Sequence, residues 1–178
     1  MGFPKTKVVD VATLFKIASV VLLIGFLELI IIAPLPLPFM RPTLLLTILF
    51  LIPAIGNKTL ALILSFAISL TVDLFTSFSF TTSTVIPIVA FLFFPVVERS
   101  DVFSEMPFPL LAFYDKRRRT MAWLWLLILS ALYVLLYMVI STLSISVLWV
   151  MPITALSFFV ITFGINAIAI AILKPVFV

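Results

Sequence analysis

The sequence has no cysteine and no histidine. That excludes disulfides, thiolate nucleophiles, zinc sites built on those ligands, haem ligation by histidine and imidazole acid–base chemistry. Charge is also scarce, with Asp, Glu, Lys and Arg together making up 10% of the chain. Glycine occurs only four times against twelve prolines, so bends must come from proline or local turn chemistry. No secretory cleavage pattern is evident, because the apolar run after Lys16 leads into further hydrophobic sequence. The first span is expected to stay in place.

What is present is apolar. With 65% hydrophobic residues and a mean hydropathy of +1.42, the chain cannot hide its apolar groups in one soluble core and reads as an integral membrane protein. A length of 178 residues leaves room for about six spans of roughly 20 residues and for no folded extramembrane domain. The expected fold is all-α, a polytopic bundle of six transmembrane helices forming a single domain over residues 1–178. The net charge of +4 sits in cations flanking apolar runs, which membrane orientation explains better than nucleic acid does.

Residues 17–40 carry one charge, Glu28, and predict a first helix ending near Ala33, where Pro34, Pro36 and Pro38 forbid a continued ladder and form a stiff loop. The second span is expected to start with Pro42 in its first turn and to stop between Pro53 and Lys58. A third runs from about Lys58 to Thr76, followed by a hydroxyl-rich loop or first turn from Ser77 to Thr84. The fourth, to about Val97, contains Pro87 and Pro95, predicting a kink. The second and fourth spans, at about 15 residues, would reach only some 22 Å and would be held inside the bundle.

Residues 98–119 form the long polar connection, a cytoplasmic loop ending in Asp115 and the basic cluster Lys116 to Arg119. Its middle, Met106 to Tyr114, is apolar enough to lie on the bilayer surface. No charge occurs from Thr120 to Leu173, enough for two helices joined near Ser141 to Ser146. Merging the second and third spans would give five crossings. Six crossings place ten cations on one side against Arg41 on the other, so the positive-inside rule favours six, with both termini cytoplasmic. Trp123, Trp125 and Trp149 suit interfacial belts.

Two charges stand out in this background. Arg41 precedes Pro42 and Asp73 precedes Leu74, and Lys58 is the sole charge between them. Ionisable groups at membrane depth are costly and face a protein interior, a polar cavity or one another. The topology places Glu28, Arg41 and Asp73 toward the outer leaflet, and Arg41 is expected to pair with Asp73, with Glu28 a weaker second partner. The pair either locks the second helix to the third or binds a ligand or proton.

Ala61, Ser65, Ser69 and Asp73 recur every four residues on the third helix, a stripe that permits close helix approach, within the bundle or to another protein's helix. Gly164, Ala167 and Ala171 suggest a similar seam on the sixth helix beside Asn166, which needs a hydrogen-bond partner in lipid. Tyr133 and Tyr137 either line a groove or anchor the helix at the interface. The basic cluster either orients the chain or touches anionic lipid or a cytoplasmic partner.

Arg41-Pro42 opening a span, followed by an intervening span that ends in Asp73-Leu74 with Ser, Thr and Phe after it, resembles the MreD family of bacterial rod-shape-determining membrane proteins. Length and the expected layout fit too. The specific residues lie between about Phe39 and Phe80. Members often carry glycines just before the aspartate and a few residues after it, whereas here Ala67 and Ser69 precede it and Phe80 and Thr81 follow.

The resemblance implies a non-enzymatic subunit of the cell-elongation machinery in the bacterial inner membrane, supporting peptidoglycan synthesis and cell shape. Its implied partners are MreC, through a single membrane helix, and through it the elongation transpeptidase, RodA and the MreB cytoskeleton, with membrane lipid around them. The family is similar in architecture to the substrate-capturing subunits of energy-coupling-factor transporters. It implies no cofactor, metal ligand or catalytic residue. A vitamin-type transporter subunit is the alternative, and an intramembrane enzyme would have only Glu28, Asp73, Arg41 and scattered hydroxyls to work with.

Overall fold

The computed structural model describes residues 10–32, 41–76, 80–103, 106–142 and 152–177. It is all-helical, and five of its helices are long and apolar enough to cross a membrane. Helix α1 (Val11–Leu27) starts at Asp10, whose side chain accepts the Thr13 N–H at 3.1 Å, and continues through a π-helical turn at Glu28–Ile32. That hydrogen bond, made to the ionised form, holds the exposed Asp10 carboxyl below its usual range. The stiff proline loop expected after Ala33 lies outside the described residues.

Helix α2 (Leu45–Leu49) passes into a 3₁₀ turn at Ile52–Ile55, with Gly56 at φ 74° closing it. A left-handed closing residue suits glycine, which has no Cβ to clash. Pro42 is therefore not in a first helical turn; helix begins only at Leu45. The reason is local: the Thr43 hydroxyl accepts the Leu45 N–H at 3.1 Å, which favours a capping conformation over a further turn of helix. Every residue from Arg41 to Ala54 is buried, so this short segment is held inside the bundle as its length demands.

Helix α3 (Lys58–Thr76) packs most extensively against α4 (Thr81–Arg99). The fourth helix is not short: its 19 residues rise about 28 Å, and both Pro87 and Pro95 lie within it. Its N-terminus includes Thr81 to Thr84, the hydroxyl-rich stretch taken as a loop or first turn, with Phe80 at φ 52° reversing the chain. Of the five long helices α4 is the most buried.

Helices α5 (Arg119–Thr142) and α6 (Pro152–Phe177) complete the bundle. The junction between them and Trp149 lie largely outside the described residues. The apolar middle of the 98–119 connection does not lie on a bilayer surface. Phe108, Leu110, Ala112 and Phe113 are buried, a 3₁₀ turn spans Pro109–Phe113, and the Leu110 N–H donates to the Phe50 carbonyl at 3.0 Å. Phe50 sits amid Phe93, Phe103 and Phe113, with ring centroids at 5.0, 6.3 and 5.0 Å. Burying these rings against protein satisfies both aromatic packing and a backbone group that lipid could not.

Candidate functional site

Arg41 and Asp73 meet. The Arg41 Nη1 lies 3.2 Å from Asp73 Oδ1, with the carboxylate fully buried and the arginine 8% exposed. The same guanidinium reaches the Val72 carbonyl at 3.4 Å and the Thr76 hydroxyl, so it clamps the last turn of α3 through three groups. Asp73 uses its second oxygen elsewhere: Oδ2 accepts the Ser83 N–H at 2.7 Å. A carboxylate at a helix N-terminus satisfies a backbone donor that has no partner in the helix and faces the positive end of its dipole. One side chain thus joins the Arg41 segment, α3 and α4.

Glu28 enters the cluster as a cap. It is fully buried on the π turn of α1, and its Oε2 accepts the Leu44 N–H at 2.7 Å, at the entry to α2. π-Turns interrupt the regular ladder and are frequent at functional sites. Tyr133 closes the group from α5: its hydroxyl, fully buried, donates to the Arg41 carbonyl at 2.9 Å. The tyrosine is therefore an interior residue and not an interfacial anchor. Tyr137 is half-buried beside it, and both rings meet Phe158 of α6 edge to face.

Asn166 of α6 finds its partners in the interior. Its Oδ1 accepts from the Thr47 N–H at 2.9 Å and from the Thr47 hydroxyl at 2.8 Å, while its Nδ2 donates to the carbonyls of Thr43 and Thr162 at 2.5 and 2.8 Å. All four hydrogen-bonding positions of the amide are filled. Within the bundle the expected seam beside it is not closely packed. Gly164 has open space where a Cβ would project and Ala171 is exposed, whereas the buried face of α6 runs through Phe158, Thr162, Asn166 and Ile170. Ala167 is half-buried.

On α3 the four-residue stripe does face inward, with Ala61, Ser65, Ser69 and Asp73 all buried. The Ser65 hydroxyl donates to Leu62 O at 2.8 Å and that of Ser69 to Ser65 O at 2.8 Å, so these hydroxyls return to their own helix and leave a smooth surface for close packing. Pro42 is buried next to the pair, and Leu74 is turned outward, 41% exposed.

Sequence reasoning missed Tyr133 as a cluster member, Ser83 as the second partner of Asp73, and Thr43 and Thr47 as partners of Asn166. Thr47 is a hydroxyl residue in an apolar run, a weak signal, Ser83 is one of several hydroxyl residues between Ser77 and Thr84, and the Asp73–Ser83 bond uses a backbone group that no side-chain pattern reveals. Among the described residues no group of acidic side chains is arranged to hold a metal ion.

Five apolar helices around a buried polar cluster define a multi-pass helical membrane protein. Comparison with family models, with curated proteins and with solved structures gave no match for this chain.

Proposed function

We propose that the chain is a non-enzymatic membrane scaffold of the MreD type, which holds MreC by its single membrane helix and supports peptidoglycan synthesis and cell shape in the bacterial inner membrane. In this reading the chain crosses the bilayer six times with both termini cytoplasmic, its second crossing being the Arg41–Lys58 segment, buried from Arg41 to Ala54. The bundle is of the kind used by energy-coupling-factor substrate-binding subunits.

The observation that carries the reading is the use made of the two motif charges. Arg41 and Asp73, separated by 32 positions in sequence, are spent on each other and on the backbone and hydroxyls of α3 and α4. Asn166 and Tyr133 are likewise occupied within the chain. Polar groups committed to joining helices suit a body whose work is done by its outer surface, which here is apolar and lipid-facing. The elongation transpeptidase, RodA and MreB would be reached through MreC.

The test is co-purification from detergent with full-length MreC, alongside cell shape in a strain carrying Asp73→Ala. The scaffold reading expects a stable complex and rounded cells. A chain that never retains MreC, in cells that stay rod-shaped with the variant, would overturn it.

A further inference from the structure

The last turns of α4 carry a feature that the scaffold reading does not use. A shallow, open hollow of about 290 Å³ lies at the end of the helix, lined among the described residues by Pro95, Val96, Arg99 and Ser100. Its chemistry changes along its length, with two apolar side chains on the membrane side and a guanidinium and a hydroxyl at the helix end. Arg99 is exposed and sits in the final turn of α4.

Below the hollow, Ile88, Phe91 and Leu92 are 37%, 63% and 49% exposed, and with Pro95 and Arg99 they share one face of the helix. From Arg99 back to Ile88 is a rise of about 16 Å, close to one leaflet of a hydrocarbon core about 30 Å thick. The face therefore offers a cation at headgroup level and an unbroken apolar track for the depth of an acyl chain.

The electrostatics at this end favour an anion. Lys58 pairs with Glu98, and Arg118 lies 3.8 Å from Asp115. Asp101 is exposed two residues beyond Arg99, but it is outnumbered by Arg99, Lys116, Arg117 and Arg119, which remain exposed with no ion pair among the described residues. The Arg118 guanidinium donates to the Val102 carbonyl at 3.3 Å, which brings the basic loop beside the segment that follows Ser100. An arginine fork suits a phosphate, and juxtamembrane cations attract anionic lipid.

We propose that this hollow is a binding site for an anionic phospholipid, with Arg99 on the headgroup phosphate and the acyl chain along Leu92 and Ile88. The volume is that of a headgroup pocket and not of a whole lipid, so the chains lie outside it on α4. The proposal is independent of MreC and of the cell-shape reading; it needs only that α4 spans a membrane.

The experiment uses the full chain in a zwitterionic detergent, with retention of phosphatidylglycerol and of phosphatidylcholine compared by native mass spectrometry. The wild type should prefer phosphatidylglycerol, Arg99→Gln should lower its retention about fivefold, and Arg117→Gln, outside the hollow, should lower it far less. Equal retention of the two lipids, or unchanged retention in Arg99→Gln, would overturn the site. So would complete displacement by equimolar inorganic phosphate, which would assign the hollow to a free anion.

A second measurement does not depend on the arginine variant folding. Because the chain has no cysteine, a single Leu92→Cys can carry a fluorophore on the proposed track. Brominated phosphatidylglycerol should quench it more strongly than brominated phosphatidylcholine at the same mole fraction. Equal quenching would contradict the proposal.

Discussion

The two ends of α3 handle charge in opposite ways. At its C-terminal end, Asp73 and Arg41 are withdrawn from solvent and wired to backbone groups of neighbouring segments. At its N-terminal end, Lys58 meets Glu98 with side chains 25% and 19% exposed, and further cations stand free at the surface. The interior beside them is instead sealed by Phe50, Phe93, Phe103 and Phe113. A buried charge must be matched group by group, because removing one partner strands the other in low dielectric, whereas a surface charge tolerates loss and is available to partners. The first end fastens the bundle; the second faces its surroundings.

The contrast is broken most severely by Asp73→Ala, which strands the Arg41 guanidinium and uncaps α4. The expected loss is about 3–5 kcal/mol of unfolding free energy in detergent, while Lys58→Gln at the opposite end should cost under about 1 kcal/mol. Equal losses would erase the distinction. Phe50→Ala tests the aromatic seal, with an expected cost of about 3 kcal/mol from the cavity left among the three remaining rings, read by chemical unfolding.

The basic end also carries a titration. The Tyr114 hydroxyl donates to the Ile170 carbonyl at 2.6 Å, and burial pushes its ionisation above the usual tyrosine range. The folded chain thus keeps a proton that the unfolded chain releases near pH 10, so stability contributed by Tyr114 is full below about pH 10 and falls as pH rises beyond it. Tyr114→Phe should flatten the alkaline limb of a stability–pH curve, and an unaltered slope would remove Tyr114 from the account. The smallest effect belongs to Gly164→Ala, where a Cβ meets nothing within 4 Å. It should change stability by no more than about 1 kcal/mol, in the stabilising direction through helix propensity. A marked loss would restore the close seam on α6.

Much of this layout was legible from residues alone. The scarcity of charge in long apolar runs announces the membrane helices, and the isolation of Arg41 and Asp73 in that background announces their pairing, since neither could face lipid alone. The four-residue recurrence of Ala61, Ser65, Ser69 and Asp73 gives the inner face of α3 directly. Other features lie beyond such patterns.

The fourth helix is longer than its sequence suggests because the hydroxyl-rich start, Thr81 to Thr84, suits a loop as well as a helical turn; Pro87 and Pro95 lie within the helix, since proline removes only single ladder bonds and neighbouring helices support the rest. The Met106 to Tyr114 segment is apolar enough for a bilayer surface or a protein interior, and only the position of Phe50 decides between them. On α6, small residues suggested the contact face, but Asn166 fixes the helix rotation because its amide must reach Thr43 and Thr47. Phe80 illustrates a further limit: at φ 52° it occupies a left-handed position more natural to glycine, which no side-chain pattern announces.

The central claim is that Arg41 and Asp73 act as one buried unit, and a double-mutant cycle with Arg41→Leu, Asp73→Leu and the double variant tests it most directly. Measured as unfolding free energy in detergent, the double variant should be more stable than either single variant, because no charge is left stranded. Losses in the double variant equal to the sum of the two singles would show that the guanidinium and the carboxylate do not depend on each other.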